Sequence, residues 1–178
     1  MEKCYSTDLS DDEWECLELH LPPPNRRGRP RTHITALAGN DDVVSGDGSD
    51  EVYGGRGNDV VDGYWRNDTI YGGSGDDGSA EGTNFKTPTK DTTNLEGGEG
   101  SDRVYGGEGD DWIDAAAHDL STDNPGSVDR SFGEEGNDRI YAIDGNEDII
   151  NCGSGTHDVV RRDVGIDTIN NCEERRSQ

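Results

Sequence analysis

Apolar side chains are scarce in this chain. Only 28% of its 178 residues are hydrophobic, with two phenylalanines and one methionine among them. That is too little for an ordinary globular core. No apolar run approaches the ~20 residues that cross a bilayer, and no signal-peptide apolar segment follows Met1. Positive charge is also short: 16 Lys and Arg stand against 40 Asp and Glu, a net charge of −24. Such a surface repels nucleic acid and anionic membranes, so neither is a default partner. Catalytic signatures are missing as well, with no Gly-x-Ser-x-Gly elbow, His-Glu-x-x-His or P-loop. Carboxylates are so abundant that choosing two as acid and base carries no information. The chain is not expected to be an enzyme.

What is present is a period. Gly54-Gly55-Arg56-Gly57-Asn58-Asp59-Val60-Val61-Asp62 reads Gly-Gly-x-Gly-x-Asp-x-U-x, with U apolar. Position six of this nine-residue unit is Asp41, Asp50, Asp59, Asp68 and Asp77, and position eight is Val43, Val52, Val61 and Ile70. The frame returns at Gly97 to Val104 with Asp102, at Gly106 to Ile113 with Asp111, and in worn form at Gly133 to Ile140 with Asp138.

Glycines at positions one, two and four supply positive φ and let the backbone approach closely, so the first six residues are turn. The x-U-x part is a short strand whose middle side chain points inward. Two turns and two strands close one flattened coil of 18 residues, and stacked coils make a parallel β-roll. Carboxylates one coil apart then lie roughly 4.8 Å from each other: Asp41, Asp59 and Asp77 on one edge, Asp50 and Asp68 on the other. They repel unless a cation separates them. Carboxylate and carbonyl oxygens from two turns suit Ca²⁺ better than Mg²⁺, which resists giving up its waters. The candidate metal-binding residues are the position-six aspartates together with Gly54, Arg56, Gly57, Gly72, Ser74, Gly75, Gly97, Glu99, Gly106 and Glu108. A Gly/Asp-rich disordered linker is the rival, but disorder does not require an apolar residue at every ninth position.

These units resemble the RTX (haemolysin-type) calcium-binding repeat over about residues 36–170. The resemblance implies an all-β, right-handed β-solenoid that takes up several Ca²⁺ ions between stacked turns. It also implies an extracellular setting, where a matrix or surface partner would be met. The metal-free chain is expected to be largely unfolded, with binding and folding as one event.

Residues 1–33 follow a different pattern. Ser10 and Glu13 form a capping box, and Trp14, Leu17 and Leu21 share a face, which predicts a short N-terminal helix ended by Pro22-Pro23-Pro24. With Arg26, Arg27, Arg29 and Arg31, this segment resembles the start of insertion-sequence transposases. It reads either as a DNA-contacting arm or as the remnant of a gene fusion in a reading frame without a selected role. No room remains for a transposase catalytic domain.

The roll is expected over 34–172, with loop excursions at 78–94 and 115–131, a capping coil at 142–172 and a tail at 173–178. His118 and Pro125 lie in the second excursion. Toward the end the period loosens: Asp138, Asp148 and Asp158 are ten apart, and Asp167 restores a step of nine. Strands are expected to persist there while metal occupancy falls. His157 reads as an exposed spectator. Cys152 and Cys172 are nearly one coil apart, which predicts a disulfide pinning the last coil. Cys4 and Cys16 receive no role. Tyr53 and Tyr71 occupy position nine and are expected to stack outside the roll, with Tyr105 and Tyr141 in the same slot and Trp112 also facing out.

Overall fold

A computed structural model describes residues 31–78, 94–115 and 126–177. The expected N-terminal helix, Cys4, Cys16, Arg26, Arg27, Arg29, His118 and Pro125 lie outside the described residues. Within them every regular element is a strand. One parallel sheet contains β1 (His33–Thr35), β3 (Glu51–Arg56), β5 (Thr69–Ser74), β7 (Arg103–Glu108), β9 (Arg130–Glu135), β11 (Ile149–Asn151) and β13 (Thr168–Asn170). The other contains β2 (Asp42–Val44), β4 (Val60–Asp62), β6 (Leu95–Glu96), β8 (Trp112–Asp114), β10 (Arg139–Ala142), β12 (Val159–Arg162) and β14 (Glu174–Ser177). Successive strands alternate between the sheets, so each pair of strands advances the stack by one layer.

The register shows how the inward slot is filled. Ile34 pairs with Val52, Val52 with Ile70 and Ile70 with Val104 in the first sheet. In the second, Val43 pairs with Val61, Val61 with Leu95 and Leu95 with Ile113. Early partners such as Val43 and Val61 are 18 residues apart. The aliphatic line continues through Ile140, Ile150 and Val160, all fully buried, so the core is one side chain wide per strand. A strand buried in this way needs a single β-branched residue between two polar flanks, which is what the x-U-x triplet provides.

Three sequence expectations are corrected. The second excursion does not extend to residue 131, because Arg130 and Ser131 pair with Arg103 and Val104 as part of β9. Residues 174–177 are not a tail: β14 pairs in parallel with β12 and extends the second sheet. The aromatic ladder is longer than two rings, and Tyr141 does not share it. Tyr53, Tyr71, Tyr105 and Phe132 stack at centroid spacings of 4.6, 4.9 and 4.7 Å, the strand repeat itself. Tyr141 lies on β10 in the other sheet, with the Arg161 guanidinium 5.8 Å from its ring. Trp112 carries Arg139 over its ring at 5.1 Å. His157 is exposed, its ring 2.8 Å from Thr156 Oγ1.

Ser131 is the flaw in the core line. It takes the inward slot between Val104 and Ile150, is 1% exposed, and its Oγ has no hydrogen-bond partner. An unsatisfied buried hydroxyl costs about 1–3 kcal/mol. Ser131→Val is therefore expected to raise the thermal midpoint of the metal-loaded protein, by an amount worth about 1 kcal/mol or more; an unchanged or lower midpoint would contradict this account.

Candidate metal centre

Each turn divides its glycines between two tasks. Positions two and four take positive φ, as at Gly55 (116°), Gly57 (124°), Gly73 (123°) and Gly75 (133°). Position one does not, so the expectation of positive φ there is corrected; glycine is needed at that place for room. A Cβ on Gly54 would lie 2.5 Å from Gly72 O of the next coil and 2.6 Å from Asp59 Oδ2 of its own turn. Gly63, Gly72, Gly97, Gly106 and Gly133 face the Oδ2 of Asp68, Asp77, Asp102, Asp111 and Asp138 in the same way. Worn turns keep the backbone shape without glycine: Tyr64, Arg66 and Glu134 occupy positions two and four at φ 74°, 83° and 76°. Left-handed backbone costs a non-glycine residue about 1–2 kcal/mol. Glu134→Gly, at an exposed position, is expected to slow unfolding and raise the midpoint; a fall would show that the side chain matters more than the backbone strain.

The aspartates form two continuous ladders. On one edge the backbone N–H groups of Asp41, Asp59, Asp77, Asp111 and Asp138 donate to Oδ1 of Asp59, Asp77, Asp111, Asp138 and Asp158, at 2.8–3.0 Å. On the other edge Asp50, Asp68, Asp102 and Asp129 donate to Oδ1 of Asp68, Asp102, Asp129 and Asp148, at 2.6–3.0 Å. Asp50 Oδ1 accepts Thr32 N–H at the start of its row, and one oxygen of each accepting carboxylate is thereby satisfied. The other is not: Oδ2 of Asp41, Asp50, Asp59, Asp68, Asp77, Asp102, Asp111, Asp129, Asp138, Asp148 and Asp158 is buried without a partner. A row of buried anionic oxygens facing carbonyl oxygens across a gap too small for a methyl group is a donor set for a hard cation.

Third-position residues contribute backbone rather than side chain. The carbonyls of Arg56, Ser74, Glu108 and Glu99 accept the N–H of Gly39, Gly57, Gly75 and Arg66 one coil below. Arg56, Ser74, Glu108 and Glu135 line a shallow groove along the turn edge with Gly55, Gly73 and Gly107. Arg31 pairs with Glu51 at 2.9 Å. The nonapeptide reading overlooked three features. Asp129, Asp148 and Asp158 belong to the ladders. Gly63 and Gly133 have the same tight approach as the glycines named from the consensus. Position five, treated as free, carries an outer ladder in which Asn40, Asn58, Asp76 and Asp110 accept backbone N–H groups from Asn58, Asp76, Asp110 and Asn137. Its signal is the position-five column of the eight consensus units from Asn40 to Asn137, which holds only Asn, Asp and Ser.

Burial raises the carboxyl pKa values, and like charges along each ladder add to it, while the N–H donated to each works the other way. Asp59 rises to about 6, Asp77, Asp111, Asp129 and Asp138 to about 7, Asp68 and Asp148 to about 8, and Asp102 to about 9. Between the ordinary carboxyl value near 4 and these raised values, the metal-free fold holds more protons than the unfolded chain. Each pH unit in that window then removes about 1.4 kcal/mol per carboxyl. Several such groups together exhaust a net stability of about 5–15 kcal/mol. In chelator, circular dichroism is expected to show β-structure near pH 4 that is lost as pH rises toward 8. Full β-structure at pH 8 without metal would refute this.

Two parallel sheets joined by stacked, oxygen-lined turns define a β-solenoid. The family model of the RTX calcium-binding nonapeptide repeat matches in four copies, at residues 35–65, 66–78, 91–117 and 126–151, together just over half of the chain. The chain belongs to this family, and membership implies Ca²⁺ binding, with which the buried aspartate rows are consistent. No matched stretch reaches residues 1–33, so nothing supports the transposase-like reading of that segment. No curated protein and no solved structure matches the chain. Among the described residues no helix is long and apolar enough to cross a membrane.

Proposed function

We propose that this chain is a non-catalytic calcium-binding β-roll module, structural or adhesive, that becomes rigid as Ca²⁺ fills its turns. The supporting observation is the row of buried, partnerless Oδ2 atoms on both edges. Six units pair such an oxygen with a position-one glycine: Gly54 with Asp59, Gly63 with Asp68, Gly72 with Asp77, Gly97 with Asp102, Gly106 with Asp111, and Gly133 with Asp138. Bound Ca²⁺ would neutralise paired carboxylates. The chain supplies the orientation through Oδ1 and the close approach through glycine. Extracellular Ca²⁺ near millimolar fills even sites of the ~10⁻⁴ to 10⁻³ M class, and an extracellular setting also suits the Cys152–Cys172 disulfide. The half-buried stack from Tyr53 to Phe132 is the surface an adhesive role would use. The DNA-binding alternative has no comparable support, since no matched stretch reaches residues 1–33 on which it rests.

Circular dichroism at pH 7.5 should show a coil-to-β change on adding Ca²⁺, reversed by chelator. Asp59→Asn keeps an Oδ1 acceptor for Asp41 N–H but removes the charge. It is expected to weaken Ca²⁺ binding by about tenfold or more, and to make the metal-free fold more tolerant of pH 8. Gly54→Ala should weaken binding by obstruction without that gain. Unaltered Ca²⁺ affinity in both variants would refute the assignment of this turn.

A further inference from the structure

The last full coils depart from the consensus where Asp129 and Asp148 sit. Neither turn opens on a position-one glycine: the buried Ala115 and Ala142 stand at that place, directly after Asp114 and Tyr141. A third carboxylate approaches instead. Asp144 lies in the β10–β11 connection, two residues past the end of β10 and outside the nonapeptide frame. One carboxylate oxygen from each of Asp129, Asp144 and Asp148 lies within 4.8 Å of the others. Oxygens bound to one Ca²⁺ at 2.3–2.6 Å can be no more than about 5 Å apart, so a single ion can reach all three.

Two independent observations point into this cluster. Asp129 and Asp148 are 3% and 0% exposed, and each has one oxygen engaged by a backbone N–H, from Asp102 and Asp129 respectively, and the other without a partner. The connection also fixes Asp144 firmly. Its N–H and that of Gly145 donate to Asp163 Oδ2 at 3.0 and 2.7 Å, and its carboxylate accepts Asn146 N–H and Nδ2 at 2.8 and 2.9 Å. Asn146 is in turn tied to Ser127 Oγ and Gly126 N–H.

We infer that Asp129, Asp144 and Asp148 form a further Ca²⁺ site, with Asp144 as a third anionic ligand replacing the glycine-lined gap of the consensus turns. The inference rests on Ca²⁺ as the ion of the turns, and adds a ligand that the repeat does not contain. Three carboxylates and no nitrogen or sulfur donor select a hard cation. With one anionic ligand more than its neighbours on the ladder, this site fills at lower Ca²⁺ than they do.

Calorimetric titration with Ca²⁺ alone, on the full chain, tests it. Asp144→Asn should bind one ion fewer, or bind its tightest ion about tenfold or more weakly, while Glu147→Gln, the same charge change on an exposed neighbour, matches the unaltered chain. A count and affinity for Asp144→Asn equal to those of Glu147→Gln would overturn the site and leave the β-roll reading intact. No Ca²⁺ binding by the unaltered chain would overturn both. Circular dichroism in saturating Ca²⁺ checks that the variant folds. Should it not, carbodiimide labelling of the unaltered chain in saturating Ca²⁺ decides: Asp144 protected beside a reactive Glu147 supports the site, and equal labelling of the two overturns it.

Discussion

The structure depends on what happens to the second oxygen of each stacked aspartate. One aliphatic side chain per strand contributes about 1.5–3 kcal/mol on burial, whereas an uncompensated buried charge costs several kcal/mol. Most half-coils contain one of each, and that of Asp129 has only the polar Ser131 inside, so the hydrophobic line through Val52, Ile70 and Val104 cannot by itself offset an ionised ladder. Either a buried carboxyl takes up a proton, which the raised pKa values of Asp68, Asp77, Asp102, Asp111, Asp129, Asp138 and Asp148 favour in the metal-free fold, or a cation enters. Composition and architecture are therefore linked: a chain this poor in apolar residues can adopt a buried-aspartate solenoid because cohesion is assigned to the turns.

The backbone hydrogen bonds of the ladders show how the geometry is kept without metal contacts. Each N–H along an edge points at the carboxylate of the next coil, so the position-six side chains are oriented by the same stacking that forms the sheets. The outer row from Asn40 to Asn137 repeats this device at position five. Side-chain-to-backbone bonds of this kind usually compete with secondary structure. Here they run parallel to the stacking axis and reinforce it.

Much of this was legible because a strict nine-residue period translates directly into space. Asp41, Asp59 and Asp77 share an edge, and Val43 and Val61 share the core line, simply because one coil holds two units. What escaped notice escaped for specific reasons. Asp129 is in step, nine residues before Asp138, but Ser131 replaces the apolar residue two places on, and positions one, two and four before it are Asn124, Pro125 and Ser127 instead of glycine. The strand β14 has no nonapeptide at all; it forms because β12 leaves an unpaired edge, which no local pattern announces. The division of labour among glycines was invisible too, since the letter Gly does not distinguish a need for positive φ from a need for space.

The middle and the C-terminal part of the array use different chemistry for the same problem. From Gly54 through Gly106 the position-one slot is glycine, leaving a gap between oxygens of successive turns, whereas the first two units have the buried Ala36 and Ser45 there. At Ala115 and Ala142 the slot has a methyl group, and at Cys152 a thiol, all buried. Each puts a side chain where the consensus turns have none. The chain compensates twice within the same stretch: Asp144 brings a third carboxylate to the ladder on one edge, and Cys152 bonds Cys172 of the following coil across a Cα separation of 5.2 Å. A covalent link holds its two coils at any Ca²⁺ concentration, whereas each ionic gap holds only when filled. The array thus retains a fixed layer against which metal-dependent layers can pack, within the stretch after Gly133 where the period loosens.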